Sequence, residues 1–151
     1  MNNMKKEQEE QGLKSEEVYI DSNVFIYAFL DMEKEGVRAR KIFEDIKKGK
    51  YKKAFTSTLT FDEFLWCVQK QVGKELAAEG ATIFFNFQNL ELISIDSQMA
   101  LEALKIYKNE KLKPRDAIHV AAMKSKNISR IISTDSDFDE IKDIQRIDFT
   151  K

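Results

Sequence analysis

Four carboxylates stand where a strand would end or a helix would begin: Asp21, Glu63, Asp116 and Asp135. Asp21 breaks the apolar run "YIDSNVFIYAFL", Glu63 lies in "STLTFDEFLW", Asp116 in "PRDAIHVAAM", and Asp135 follows "IIST". Each has an ordinary explanation, because a carboxylate at a helix start caps free amides and suits the helix macrodipole. Thr60 and Glu63 have the spacing of a capping box, Asp116 follows Pro114 in a first turn, and Asp135 can open the turn "TDSDF". Taken together the four read differently. Carboxylates gathered on one rim repel one another unless cations intervene, and oxygen-only donors suit hard ions such as Mg²⁺ or Mn²⁺.

Gathering them requires a particular set of elements. "VYID" reads as a short buried strand, and "NVFIYAFL" as a helix that passes through the "MEKEG" break into a second helix, "VRARKIFEDIKK". "KAFTST" is a second strand, followed by the helix "LTFDEFLWCVQKQV" ending near Gly73, and then by one further helix, "KELAAEGATIFFNFQ". "LELISI" is a third strand, "SQMALEALKIYKNE" a helix, and "PRDAIHVAAMKSK" a helix with Pro114 in its favoured first turn. "ISRIIST" and "QRIDF" supply a fourth and a fifth strand. Short apolar strands alternating with helices predict an α/β protein, a three-layer α/β/α sandwich with a central parallel sheet. In such folds ligands bind outside the carboxyl ends of the strands, where the strand order reverses.

Asp96 offers an internal comparison, since "SIDSQ" repeats the Ile-Asp-Ser of "YIDSN". If the third strand is an edge strand, Asp96 lies away from the reversal point and simply caps the next helix.

The chain has 151 residues, 42% of them hydrophobic, which is enough to bury one sizeable core. Residues 1–16 are charged and almost free of apolar groups, so they are expected to form a flexible tail, with the domain proper over 17–151. The single Cys67 excludes an internal disulfide framework, and no stretch has the composition of a signal peptide or of a membrane span. A soluble, cytoplasmic protein without a membrane partner is the expectation. With 25 Lys and Arg against 26 Asp and Glu, any polyanion site must come from local charge. Two stretches qualify: nine basic and three acidic residues between Lys34 and Lys53, and seven basic and two acidic between Ala103 and Lys126. Both could be solvated helix faces. They could instead neutralise the phosphates of a nucleic acid, with Lys113 and Arg115 beside Asp116 as the preferred contacts.

The set "YIDSNVFIYAF", "TSTLTFDEFLW", "LKPRDAIHVAAM" and "IISTDSDF" resembles the PIN-domain family of metal-dependent ribonucleases, which includes the toxins of VapBC toxin–antitoxin pairs. The resemblance runs over about residues 18 to 148. It implies a sheet of order 3-2-1-4-5, a pair of Mg²⁺ or Mn²⁺ ions, and hydrolysis of RNA phosphodiester bonds. It also implies an acidic quartet at Asp21, Glu63, Asp116 and Asp135, with Asp137 as an auxiliary acid and Asn23 and Ser133 or Thr134 as polar neighbours. An antitoxin protein and a homodimer are the partners it suggests; the aromatic-rich "TIFFNFQNLELI", or the helices nearest it, is the candidate contact surface, because Phe84, Phe85 and Phe87 cannot all face inward on one helix stripe. The long N-terminal extension, with the first acid at position 21, departs from the compact toxin pattern and leaves an RNA-processing enzyme as the other reading.

Two residues near these motifs have competing roles. His119, one helical turn beyond Asp116, reads as a packed or partly exposed helix residue rather than a proton shuttle. Phe64 and Trp66 read as core beside Leu65 and Val68 rather than as surfaces for stacking bases. A non-catalytic RNA- or protein-binding module on the same fold is the competing class. A phosphotransfer domain is disfavoured, because "DSNVF" lacks a second Asp two residues after the first.

Overall fold

A computed structural model describes residues 16–151. Apart from Glu16, the expected tail over 1–16 lies outside the described residues. The elements run β1 (Glu17–Ile20), α1 (Ser22–Leu30), α2 (Lys34–Lys47), β2 (Lys53–Ser57), α3 (Thr58–Val72), α4 (Lys74–Gly80), α5 (Ile83–Asn86), β3 (Leu90–Ile93), α6 (Ser97–Asn109), α7 (Pro114–Ser125), β4 (Arg130–Ile132), a 3₁₀ turn (Ser136–Glu140) and β5 (Gln145–Ile147). The five strands form one sheet in the order β3-β2-β1-β4-β5, with every pair parallel. The expected α/β/α sandwich and its strand order are both present. No helix among the described residues is long and apolar enough to cross a membrane.

Both faces of the sheet are covered, so the buried parts of β1 (Val18 to Ile20) and β4 (Ile131 and Ile132) are apolar on both faces rather than alternating in polarity. Side chains still alternate between the faces. Val18 and Ile20 join the cluster under α1 to α5, with Phe25, Phe43, Phe64 and Phe84, whereas Tyr19 joins the cluster under α6 and α7, with Phe55, Val120, Met123 and Phe138. β3 is an edge strand, and Asp96 beyond it caps α6 by accepting from the Met99 amide at 2.9 Å.

Three local expectations change. The helix expected over "KELAAEGATIFFNFQ" is broken in two around Ala81 and Thr82, where the Thr82 hydroxyl donates to the Glu79 carbonyl. The break allows Phe84 to stack on Phe25 at 4.4 Å while Phe85 stays 64% exposed. α3 starts earlier than the expected capping box, because Ser57 rather than Thr60 is its N-cap, accepting from the Thr60 amide at 3.5 Å. Glu63 therefore stands in the second turn and caps nothing. Trp66, expected in the core, is 57% exposed with the Lys70 ammonium 4.0 Å above its ring, whereas Phe64 two residues earlier is buried as expected. Two residues span about 200° of helix, so the two side chains face nearly opposite directions.

Candidate metal centre

The strand order reverses between β1 and β4, and both strands continue their pairing just past their ends. The Asp21 amide donates to the Ile132 carbonyl at 3.1 Å, and the Ser133 amide donates to the Ile147 carbonyl at 3.1 Å. Asp21 and Ser133 thus stand side by side on the rim. Asp21 is buried, and it serves both as N-cap of α1, accepting from the Ser22 amide at 2.7 Å, and as the hub of a polar cluster. Its Oδ2 accepts from the Ser133 hydroxyl at 2.6 Å and from the Asn23 amide at 3.1 Å. Asn23 Oδ1 in turn accepts weakly from the Thr134 amide at 3.4 Å.

β4 ends at Ile132, and the chain then turns through Asp135 rather than carrying it as a strand end. The Asp135 amide donates to Ser133 Oγ at 3.0 Å, and Asp135 Oδ1 accepts from the Asp137 amide at 2.9 Å. Arg146 braces this segment, donating to the Ser133 carbonyl at 3.1 Å while paired with Asp139 at 2.8 Å. The expected polar neighbours Asn23, Ser133 and Thr134 all lie in one hydrogen-bonded cluster.

The acids fall into two groups, each with ligand atoms within 4.8 Å of one another: Asp21, Glu63 and His119, and Asp116, Asp135 and Asp137. Asp116 connects them electrostatically. Burial first, then the charges of Asp135, Asp21 and Asp137, raise its pKa to about 6, with His119 acting in the opposite direction. Its Oδ2 is buried and without a hydrogen-bond partner. An ionised oxygen in that position needs a cation, and the surrounding donors are almost all carboxylate oxygens, so the residues fit a hard divalent metal.

His119 is a residue that sequence reasoning set aside. It is packed, as expected, at 1% exposure, yet its Nε2 lies 2.6 Å from Glu63 Oε1 and 3.6 Å from Asp21 Oδ1. Its Nδ1 is 2.7 Å from the Tyr19 hydroxyl, which bonds Ser57 Oγ at 2.8 Å. Burial alone would lower its pKa, but the Tyr19 oxygen, the Glu63 hydrogen bond and Asp21 outweigh it and raise the pKa well above the ordinary value. Tyr19 and Ser57 were missed altogether. The available signal was a tyrosine inside a fully apolar strand, since a buried phenol needs a partner.

Beside the acids lies a cleft of about 520 Å³ lined by Glu63, Lys113, Pro114, Arg115 and Asp116. Lys113 is exposed and pairs with Asp137 at 3.4 Å, and the charges of Asp137, Asp135 and Asp116 raise its pKa. The other basic stretch ends elsewhere. Lys47 to Lys53 lead into the N-terminal end of β2, the edge of the parallel sheet opposite the acids, and Lys50 and Lys53 are paired there with Asp45 and Glu91.

A model of the PIN domain matches residues 18–144. Solved structures with the same fold include the VapC20 toxin of Mycobacterium tuberculosis, a sarcin-ricin-loop-cleaving toxin, at 15% identity and a TM-score of 0.68 over 81% of this chain and 92% of that one. The DNA-bound VapBC of Salmonella typhimurium matches at 18% identity and a TM-score of 0.67, over 89% of this chain and 98% of that one. VapBC2 of Rickettsia felis, bound to a DNA fragment from its promoter, matches at 15% identity and 0.66, over 87% and 97%. No curated protein sequence matches significantly. Since the family model runs from β1 through β4 and takes in all the helices among the described residues, the chain belongs to the PIN-domain family.

Proposed function

We propose that this protein is a metal-dependent ribonuclease that hydrolyses RNA phosphodiester bonds in the cytoplasm, acting as the toxin of a toxin–antitoxin pair. The observation that carries the reading is the buried, unpartnered Oδ2 of Asp116, which is grouped with Asp135 and Asp137 on the sheet rim. Asp21, Glu63, Asp116 and Asp135, with Asp137 as auxiliary, would hold a pair of Mg²⁺ or Mn²⁺ ions. When bound, such ions supply a hydroxide from bound water and stabilise the leaving oxygen of an in-line displacement.

The chain's own residues prepare that chemistry. Ser133 and Asn23 fix Oδ2 of Asp21, and the Ser22 amide fixes Oδ1, so the carboxylate keeps one orientation on the rim. Lys113 and Arg115, at the mouth of the cleft, would hold the flanking phosphates that the acids repel. Similarity of fold to VapBC complexes supports an antitoxin as protein partner. A homodimer is part of the proposal, with the exposed Phe85 in "TIFFNFQNLELI" as a contact.

Cleavage of RNA by the purified protein should require Mg²⁺ or Mn²⁺, stop with chelator, and be nearly lost in Asp21→Asn and Asp116→Asn. Undiminished cleavage in excess chelator and in both variants would overturn the metal mechanism, whereas RNA that is bound but not cut with either ion would leave a binding module.

A further inference from the structure

Beneath the acidic rim, a buried chain of hydrogen bonds joins β2, β1, α7 and α3 through Ser57, Tyr19, His119 and Glu63. Its position is informative because Glu63, unlike Asp21 and Asp135, accepts no hydrogen bond from a backbone amide among the described residues. It sits in the second turn of α3, where no free amide faces it, and among the described residues the hydrogen bond its carboxylate makes is to His119. His119 has little freedom of its own. Its ring packs edge-on against Tyr19 at 5.6 Å and Phe138 at 6.5 Å between centroids, and Tyr19 is fully buried.

A histidine that merely filled this space would need no contact with an acid, and an aliphatic residue would pack there without polar atoms to satisfy. A histidine acting as ligand would present a free Nε2, but this Nε2 is engaged with Glu63 Oε1 at 2.6 Å. We propose that His119, anchored by Tyr19, is a positioning residue that fixes Oε1 of Glu63 and thereby leaves Oε2 as the ligand oxygen shared with Asp21. The proposal rests on the metal-centre reading above. Partners of this kind, one bond removed from the ion, are worth about 10- to 100-fold in metal affinity.

The test is direct titration of metal-free protein with Mn²⁺, followed by the electron paramagnetic resonance signal of free Mn²⁺ and by the melting temperature. His119→Leu should lose about 10- to 100-fold in affinity, and His119→Gln, whose carboxamide can still donate to Glu63, should recover part of the loss. Tyr19→Phe keeps the ring volume and should lose a smaller factor. In a Glu63→Gln background none of these changes should weaken Mn²⁺ binding further, which is an outcome that damage to the fold would not produce. Wild-type affinity in both His119→Leu and Tyr19→Phe overturns the inference, and so do equal losses with and without Glu63. Should His119→Leu fail to fold, Tyr19→Phe in the two backgrounds decides alone. Wild-type protein that binds no Mn²⁺, with Asp21→Asn indistinguishable from it, would instead overturn the metal-centre reading.

Discussion

Asp116 is the residue whose chemistry departs furthest from that of an isolated carboxylate. Burial, then Asp135, Asp21 and Asp137, lift its pKa from 3.8 to about 6. Because the folded value exceeds the unfolded one, protonation of Asp116 stabilises the metal-free fold fully below about pH 4, and that contribution is lost as the pH rises through about 6. Two units correspond to at most about 3 kcal/mol. Asp116→Asn should therefore lack this component and show a flatter dependence of metal-free stability on pH between about 4 and 7, measured by urea denaturation at constant ionic strength. His119 does not confuse the window: its raised pKa gives stability that persists below 6.5 and is lost only at a higher pH. Wild-type and variant curves that run parallel would show that Asp116 is ionised throughout.

α3 carries two functions on different sides of one helix. Its inner stripe of Thr60, Phe64 and Val68 anchors it, and Glu63 on the neighbouring flank reaches His119. Phe64→Ala should cost about 3 to 5 kcal/mol by removing a buried aromatic, whereas Trp66→Ala should cost about 0.5 kcal/mol or less, in keeping with its exposure. Equal losses in chemical denaturation would show that Trp66 is covered, as by a second copy of the chain. The apolar neighbours Leu65 and Val68 predict that both aromatics lie in the core. They could not separate the two, because only the stripe of Thr60, Phe64 and Val68 is buried, and Trp66 lies outside it.

For the molecule as a whole, the sheet has two unlike edges: acids gather at the carboxyl ends of the strands, and lysines at the start of β2 on the opposite edge. Lys113 and Arg115 are the basic residues that line the cleft beside the acids. Replacing both by Ala should weaken RNA binding and reduce the slope of log K against log salt by about 0.7 for each phosphate of a single strand that is no longer neutralised. Replacing Lys48 and Lys52 should leave the slope unchanged if the cleft alone holds the substrate. An unaltered slope in the Lys113 and Arg115 variant would assign those residues to solvent. Light scattering at tens of micromolar checks the homodimer, and a monomer would remove that part of the proposal while leaving the nuclease chemistry in place.

The alternation of short apolar strands with helices determined the fold class, because a parallel sheet buried on both faces requires uninterrupted apolar strands joined by helical crossovers. Those same local patterns marked Asp21, Glu63, Asp116 and Asp135, since strand ends and helix starts can be read from neighbouring residues. Their convergence, with Asp116 Oδ2 left buried and unpartnered, depended on four segments far apart in the chain meeting at the β1/β4 reversal point. Only tertiary structure decided that Glu63 caps nothing, that Trp66 faces outward, and that His119 bridges Tyr19 and Glu63 across 100 and 56 residues of sequence. Local spacing determines which side of an element a residue occupies. What that side meets is settled by how the elements pack.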